Sequence, residues 1–140
     1  MTDEWYVLIE ENVHEPRRVD GTELNLYRWR MAGSYFIDGG EERAQEVAVD
    51  AARHYLPREL ADHARPGDVP GRSAFQTGDG AWMVSIRQRG RGCHVRVTIG
   101  RLVHLQDESE APPVSLKEKL RSVVQPPAPR PIPWSPSPRS

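Results

Sequence analysis

The stretch Trp82-Met83-Val84-Ser85-Ile86-Arg87-Gln88-Arg89-Gly90-Arg91-Gly92-Cys93-His94-Val95-Arg96-Val97-Thr98-Ile99 decides the fold class. Trp82, Val84 and Ile86 alternate with Met83, Ser85 and Arg87, and then Cys93, Val95, Val97 and Ile99 alternate with His94, Arg96 and Thr98. A period of two sends each set to its own face of a sheet. Two such runs around a short turn containing glycine predict a β-hairpin with one face in the core. Phe75 marks a short strand before the hairpin, turning through Gly78-Asp79-Gly80, and Arg101–Gln106 reads as a further strand after it.

Upstream the period changes. Ala44, Val47, Ala48, Ala51 and Tyr55 recur at helical spacing and make one apolar stripe. Asp38-Gly39-Gly40-Glu41 places an aspartate three residues before a glutamate, the arrangement of a capping box. Pro57 ends that helix and opens a short second one carrying Leu60, Ala61 and Ala64. Earlier still, Trp5-Tyr6-Val7-Leu8-Ile9 is a continuous apolar run, read as a strand covered on both faces and bounded by Glu10-Glu11. Asn12–Gly21 is polar, contains Pro16 and ends in Asp20-Gly21, so a loop is expected. In Glu23–Met31 the residues Tyr27, Trp29 and Met31 alternate with Arg28 and Arg30, a half-buried strand with a change of parity, or bulge, near Tyr27.

The order is therefore β-β-α-β-β with possible extra strands. It predicts an α+β fold: a mainly antiparallel sheet with one principal helix packed on one face. Nine of the thirteen prolines lie at or after Pro112, while no glycine follows Gly100. This composition shift assigns the fold to residues 1–107 and a linker with a short amphipathic helix (Leu116, Leu120, Val123 and Val124) to 108–125. Residues 126–140 read as a disordered proline-rich tail.

Composition narrows the function. A chain of 140 residues with formal net charge −1 suits one domain of ordinary size. The lone Cys93 cannot form an internal disulfide. No apolar run is long enough to span a bilayer, and the acidic start Met1-Thr2-Asp3-Glu4 is unlike a signal peptide, so a cytoplasmic protein without membrane contact is expected. Seventeen arginines against two lysines resemble high-GC bacterial coding bias. G-x-x-x-x-G-K-[ST], H-E-x-x-H, G-x-S-x-G and C-x-x-C are all absent. Cys93 and His94 are adjacent, but strand alternation sends them to opposite faces, against a catalytic dyad or a zinc site. The carboxylate pairs Glu10-Glu11, Glu41-Glu42 and Asp107-Glu108 all fall at the ends of predicted elements. No enzyme, cofactor or metal follows from these residues.

The informative feature is charge. Between Arg72 and Arg101 there are six arginines and a single acid, Asp79. Alternation groups Arg87, Arg89 and Arg96 on the polar face of the hairpin with His94, places Arg91 in the turn, and lets Arg28 and Arg30 extend the patch from an earlier strand. Residues 38–62 hold seven acids against three arginines, so a basic sheet face would oppose an acidic helix. Three readings follow: a solvated sheet surface whose arginine stems cover apolar area, a face for an acidic protein partner, and a nucleic-acid-binding face. Aromatic residues expected in the core count against nucleic acid, since single-strand modules expose them among the basic groups. The tail adds Pro126-Pro127-Ala128-Pro129 and Pro133-Trp134-Ser135-Pro136, both P-x-x-P, with Trp134 as an anchor for a partner or for its own domain. The reading that results is a small non-enzymatic interaction module for an acidic protein, working through the arginine face, the tail or both. A nucleic-acid-binding accessory protein using the same hairpin is the alternative.

Overall fold

In the structure, a computed structural model that describes residues 3–113 and 129–131, regular elements follow one another in the order β1 (Trp5–Val19), β2 (Thr22–Ile37), α1 (Gly40–His54), α2 (Arg58–Asp62), β3 (Gly71–Gln76), β4 (Trp82–Gln88) and β5 (Arg91–Arg101). The strands form one sheet in the order β2-β1-β5-β4-β3, every pair antiparallel. The chain divides after Leu105, and the sheet and both helices lie in the first unit. Of the expected linker and short helix of 108–125, residues 108–113 are in neither helix nor strand and the helix residues Leu116–Val124 lie outside the described residues, as does most of the tail of 126–140, Trp134 included.

The hairpin alternation sets the core. Val84 of β4 faces Val95 of β5, Ile86 and Val97 flank that pair on the same surface, and Val7 and Ile9 of β1 continue it; all six are buried. Ala44, Ala48 and Ala52 of α1 are buried too, and residues this small let the helix backbone lie close to the β-branched floor. Leu60 of α2 closes one end, fully buried, and Gln88 Nε2 donates to its carbonyl oxygen at 2.9 Å. Arg72 is spent on structure: its guanidinium donates to the carbonyls of Ala52 (3.1 Å) and Tyr55 (2.7 Å), the unpaired acceptors at the end of α1.

Several expectations need correction. Asn12–Val19 is strand, not loop, because it pairs residue for residue with Thr22–Trp29; only Asp20 and Gly21 form the turn, both with positive φ. Beyond Glu11, β1 pairs with β2 alone, and that open edge is where Pro16 is tolerated. The bulge exists but at Ala32, where the register passes from Ile9↔Gly33 to Glu10↔Met31. The helix begins at Gly40 with Gly39 as its N-cap and no side-chain cap bond, so the Asp38–Glu41 box does not form, although Glu41 and Glu42 do occupy the first turn. Ala61 and Ala64 are exposed, leaving Leu60 as the buried contact of α2. Arg101–Gln106 adds no strand: β5 ends at Arg101, and Leu102 N donates to the Glu4 carbonyl at 2.9 Å.

Candidate functional site

Both helices pack on one face of the sheet. The opposite face is covered by no helix among the described residues, and its composition can be read row by row from the register. At the hairpin end, Gly71, Arg87 and Gly92 stand side by side on β3, β4 and β5; Ser73, Ser85 and His94 form the next row. Phe75, Met83, Arg96, Glu10 and Met31 make the third row across all five strands. Thr98, Leu8 and Ser34 follow, and then Gly100, Tyr6 and Phe36. The Tyr6 and Phe36 rings meet edge to face with centroids 5.7 Å apart. Beside them Tyr6, Leu8, Leu102 and Leu105 line a groove of about 440 Å³.

This face is not the basic surface that the alternation implied. Phe36, Met31 and Phe75 are more than half exposed on it. The run Trp5–Ile9 is covered on one side only, because Tyr6 and Leu8 turn to the open face. The Ala32 bulge accounts for the β2 error: it moves Trp29 and Met31 to the face of Glu10, away from the helix, and sends Arg28 and Arg30 to the helix side, Arg30 opposite the buried Glu11. Arg28 pairs there with Glu15 at 3.3 Å. Neither arginine extends the hairpin patch.

The hairpin arginines also separate. Arg87, His94 and Arg96 share the open face as expected. Arg96 lies 4.6 Å from the Trp29 ring centre and 3.9 Å from Glu10 Oε1, so its charge is partly answered within the fold. Arg89 is a turn residue with positive φ, and its fork donates to both Asp68 oxygens at 2.6 and 2.9 Å. That pairing holds the Asp68 carboxyl below its usual range. Arg91 belongs to β5 and not to the turn; it stands opposite the buried Gln88 on the helix side, 4.0 Å from Glu59 of α2. Of the arginines on the hairpin strands and turn, Arg87 has no ion pair among the described residues.

Cys93 is half-buried on the helix face while His94 is exposed on the other, so the two do not converge. Burial pushes the Cys93 thiol up to about 11, with the negative charge of Glu11 adding to it, and at neutral pH this sulfur is protonated and a poor nucleophile. Glu11 accepts a hydrogen bond from the Tyr55 hydroxyl at 2.6 Å, and that bond together with burial raises the Tyr55 phenol well above its ordinary value. No three His, Cys, Asp or Glu side chains stand together as metal ligands among the described residues. No helix among them is long and apolar enough to cross a membrane.

The open-face apolar residues were missed because two of them, Tyr6 and Leu8, sit inside a continuous apolar run, and Met83 lies in the set read as polar. The signal that was available is that Met83 and Phe75 face each other across β3 and β4 once that pair is drawn. No protein-family model, curated protein or solved structure matches this chain.

Proposed function

We propose that this protein is a small non-enzymatic interaction module that binds an acidic protein partner through the open face of its sheet. One observation carries the reading. Tyr6, Leu8, Met31, Phe36, Phe75 and Met83 share a sheet face that no helix among the described residues covers, with Arg87, His94 and Arg96 among them. An exposed apolar band rimmed by polar groups is the usual composition of a protein-binding surface. Of its carboxylates Glu10 is taken by Arg96 and Glu4 accepts from the Tyr6 hydroxyl, while Arg87 at the hairpin end has no ion pair among the described residues, which suits that end of the face to an acidic counterpart. The P-x-x-P stretches and Trp134 supply a second point of attachment. A cytoplasmic location belongs to the same proposal.

Nucleic acid is the second reading, favoured by one specific observation. Tyr6, Trp29, Phe36 and Phe75 stand on the same face as Arg87 and Arg96, and aromatic platforms among cations are how open sheets hold single strands. The test is affinity capture from the native host with the full chain, with and without nuclease, beside a salt titration against single-stranded DNA and RNA. The protein reading expects a captured protein whose retention survives nuclease and is lost in Arg87→Glu. Retention that vanishes with nuclease, with salt-dependent binding to the single strands, overturns it in favour of nucleic acid.

A further inference from the structure

The hairpin end of the open face has a chemistry of its own. Ser73, Ser85 and His94 lie directly opposite one another on β3, β4 and β5, and Arg87 stands one row away on β4. Neighbouring strands are about 4.8 Å apart and same-face neighbours along a strand about 7 Å apart. The four side chains therefore bound a patch about 10 Å across, and a tetrahedral group centred over Ser85 is reached by all four when Ser73, Arg87 and His94 lean toward it. All four carry donors: two hydroxyls, an imidazole and a planar guanidinium. None makes a hydrogen bond or ion pair among the described residues. The nearest carboxylates are already used, Glu10 by Arg96 and Asp68 by Arg89.

Arg87 is flanked by glycine on both neighbouring strands, Gly71 and Gly92. Backbone strain does not require either one, since neither has a positive φ. Space does not require them: a Cβ at Gly71 would rest 3.7 Å from the Arg87 carbonyl oxygen, and one at Gly92 would rest 3.9 Å from that of Ile86, both ordinary contacts. Gly71 opens β3 and Gly92 is the second residue of β5, so both lie at the end of the sheet beside Arg87. Bare backbone on both sides leaves the guanidinium open to approach.

We infer that Ser73, Ser85, Arg87 and His94 form a binding site for a phosphate group, free or as a monoester, floored by Gly71 and Gly92. The donor set exceeds what the two oxygens of a carboxylate use and matches the three terminal oxygens of a phosphate, with Arg87 as the bidentate partner. The inference rests on the open face being the binding surface and names the anionic group its basic corner takes, either free phosphate or a phosphorylated side chain on the protein partner.

The test uses the isotope-labelled full chain at neutral pH and follows the amide resonances of Gly71, Ser73, Ser85, Arg87, Gly92 and His94. Inorganic phosphate, a phosphoserine peptide and the same peptide with aspartate are titrated against sodium chloride of equal ionic strength. Saturable shifts confined to these residues are expected with both phosphates, at least about tenfold weaker in Arg87→Gln, the loss of one charge-assisted contact. Gly92→Val, which suits a strand and keeps every charge, should fold with an unfolding midpoint no lower than the parent chain's and lose the shifts. Tighter binding of the phosphopeptide than of inorganic phosphate identifies a phosphorylated side chain as the source, and equal binding identifies free phosphate. Shifts that chloride or the aspartate peptide reproduces, or that survive both Arg87→Gln and Gly92→Val, overturn the site. Partner capture that persists in that case leaves the interaction reading standing alone.

Discussion

The two faces of this sheet are made by one alternation and differ in kind. On the helix side Val7, Ile9, Val84, Ile86, Val95 and Val97 are β-branched, fully buried and matched to the alanines of α1. On the other side the apolar residues are Tyr6, Leu8, Met31, Phe36, Phe75 and Met83: long or aromatic, half-buried or exposed, and interleaved with arginine, histidine and serine. Stiff side chains against small ones make a core that resists change of volume. Large adaptable side chains among polar groups make a surface that can meet a second molecule. The same period of two that builds stability on one side thus leaves binding capacity on the other.

Substitutions that sharpen this contrast rank by depth. Ile86→Ala should cost about 2–5 kcal/mol in denaturant unfolding, since the side chain is fully buried between β3, β5 and the helix layer. A loss below about 1 kcal/mol would mean that the helix face is not the core. Tyr55→Phe should cost about 1–2 kcal/mol by leaving the buried Glu11 carboxylate without its donor, and Glu11→Leu made together with it should recover part of that loss. On the open face, Phe36→Ser or Met83→Ser should change stability by less than about 1 kcal/mol.

The smallest effects are electrostatic. Asp68 has a lowered carboxyl pKa in the fold, so the Arg89–Asp68 contact stabilises above the unfolded carboxyl pKa and is lost as the pH falls through the folded value. Asp68→Asn should flatten the acid limb of the stability profile and leave neutral-pH binding at the open face intact. Cys93, pushed up to about 11 by burial, should react with a thiol reagent at neutral pH far more slowly than a free cysteine, until denaturant exposes it.

The part of this that could be read from the sequence is the part where alternation is clean. Val84, Ile86, Val95 and Val97 declared their face and their partners, and Ala44, Ala48 and the α1 stripe declared theirs. Three things were hidden, each for a physical reason. A single inserted residue, Ala32, reverses the parity of β2, and nothing local marks its position within Met31-Ala32-Gly33. A polar strand such as Asn12–Val19 is stabilised by its partner across eight paired residues and not by its own propensity, so it looks like a loop until β2 is laid beside it. The grouping of Ser73, Ser85, Arg87 and His94 depends on three strands being in register, which no single segment encodes. Charge counting erred for a related reason: Arg72 and Arg89 are committed to carbonyls and to Asp68, so six arginines in sequence do not become six on a surface.

The paired variant Leu8→Glu/Met83→Glu separates binding from stability on the open face in one protein. Equilibrium unfolding and partner capture are measured on the same purified chain. A face that serves binding and not stability gives an unfolding free energy within about 1 kcal/mol of the parent chain together with loss of the captured protein. Retained capture, or a destabilisation as large as that of Ile86→Ala, would contradict it.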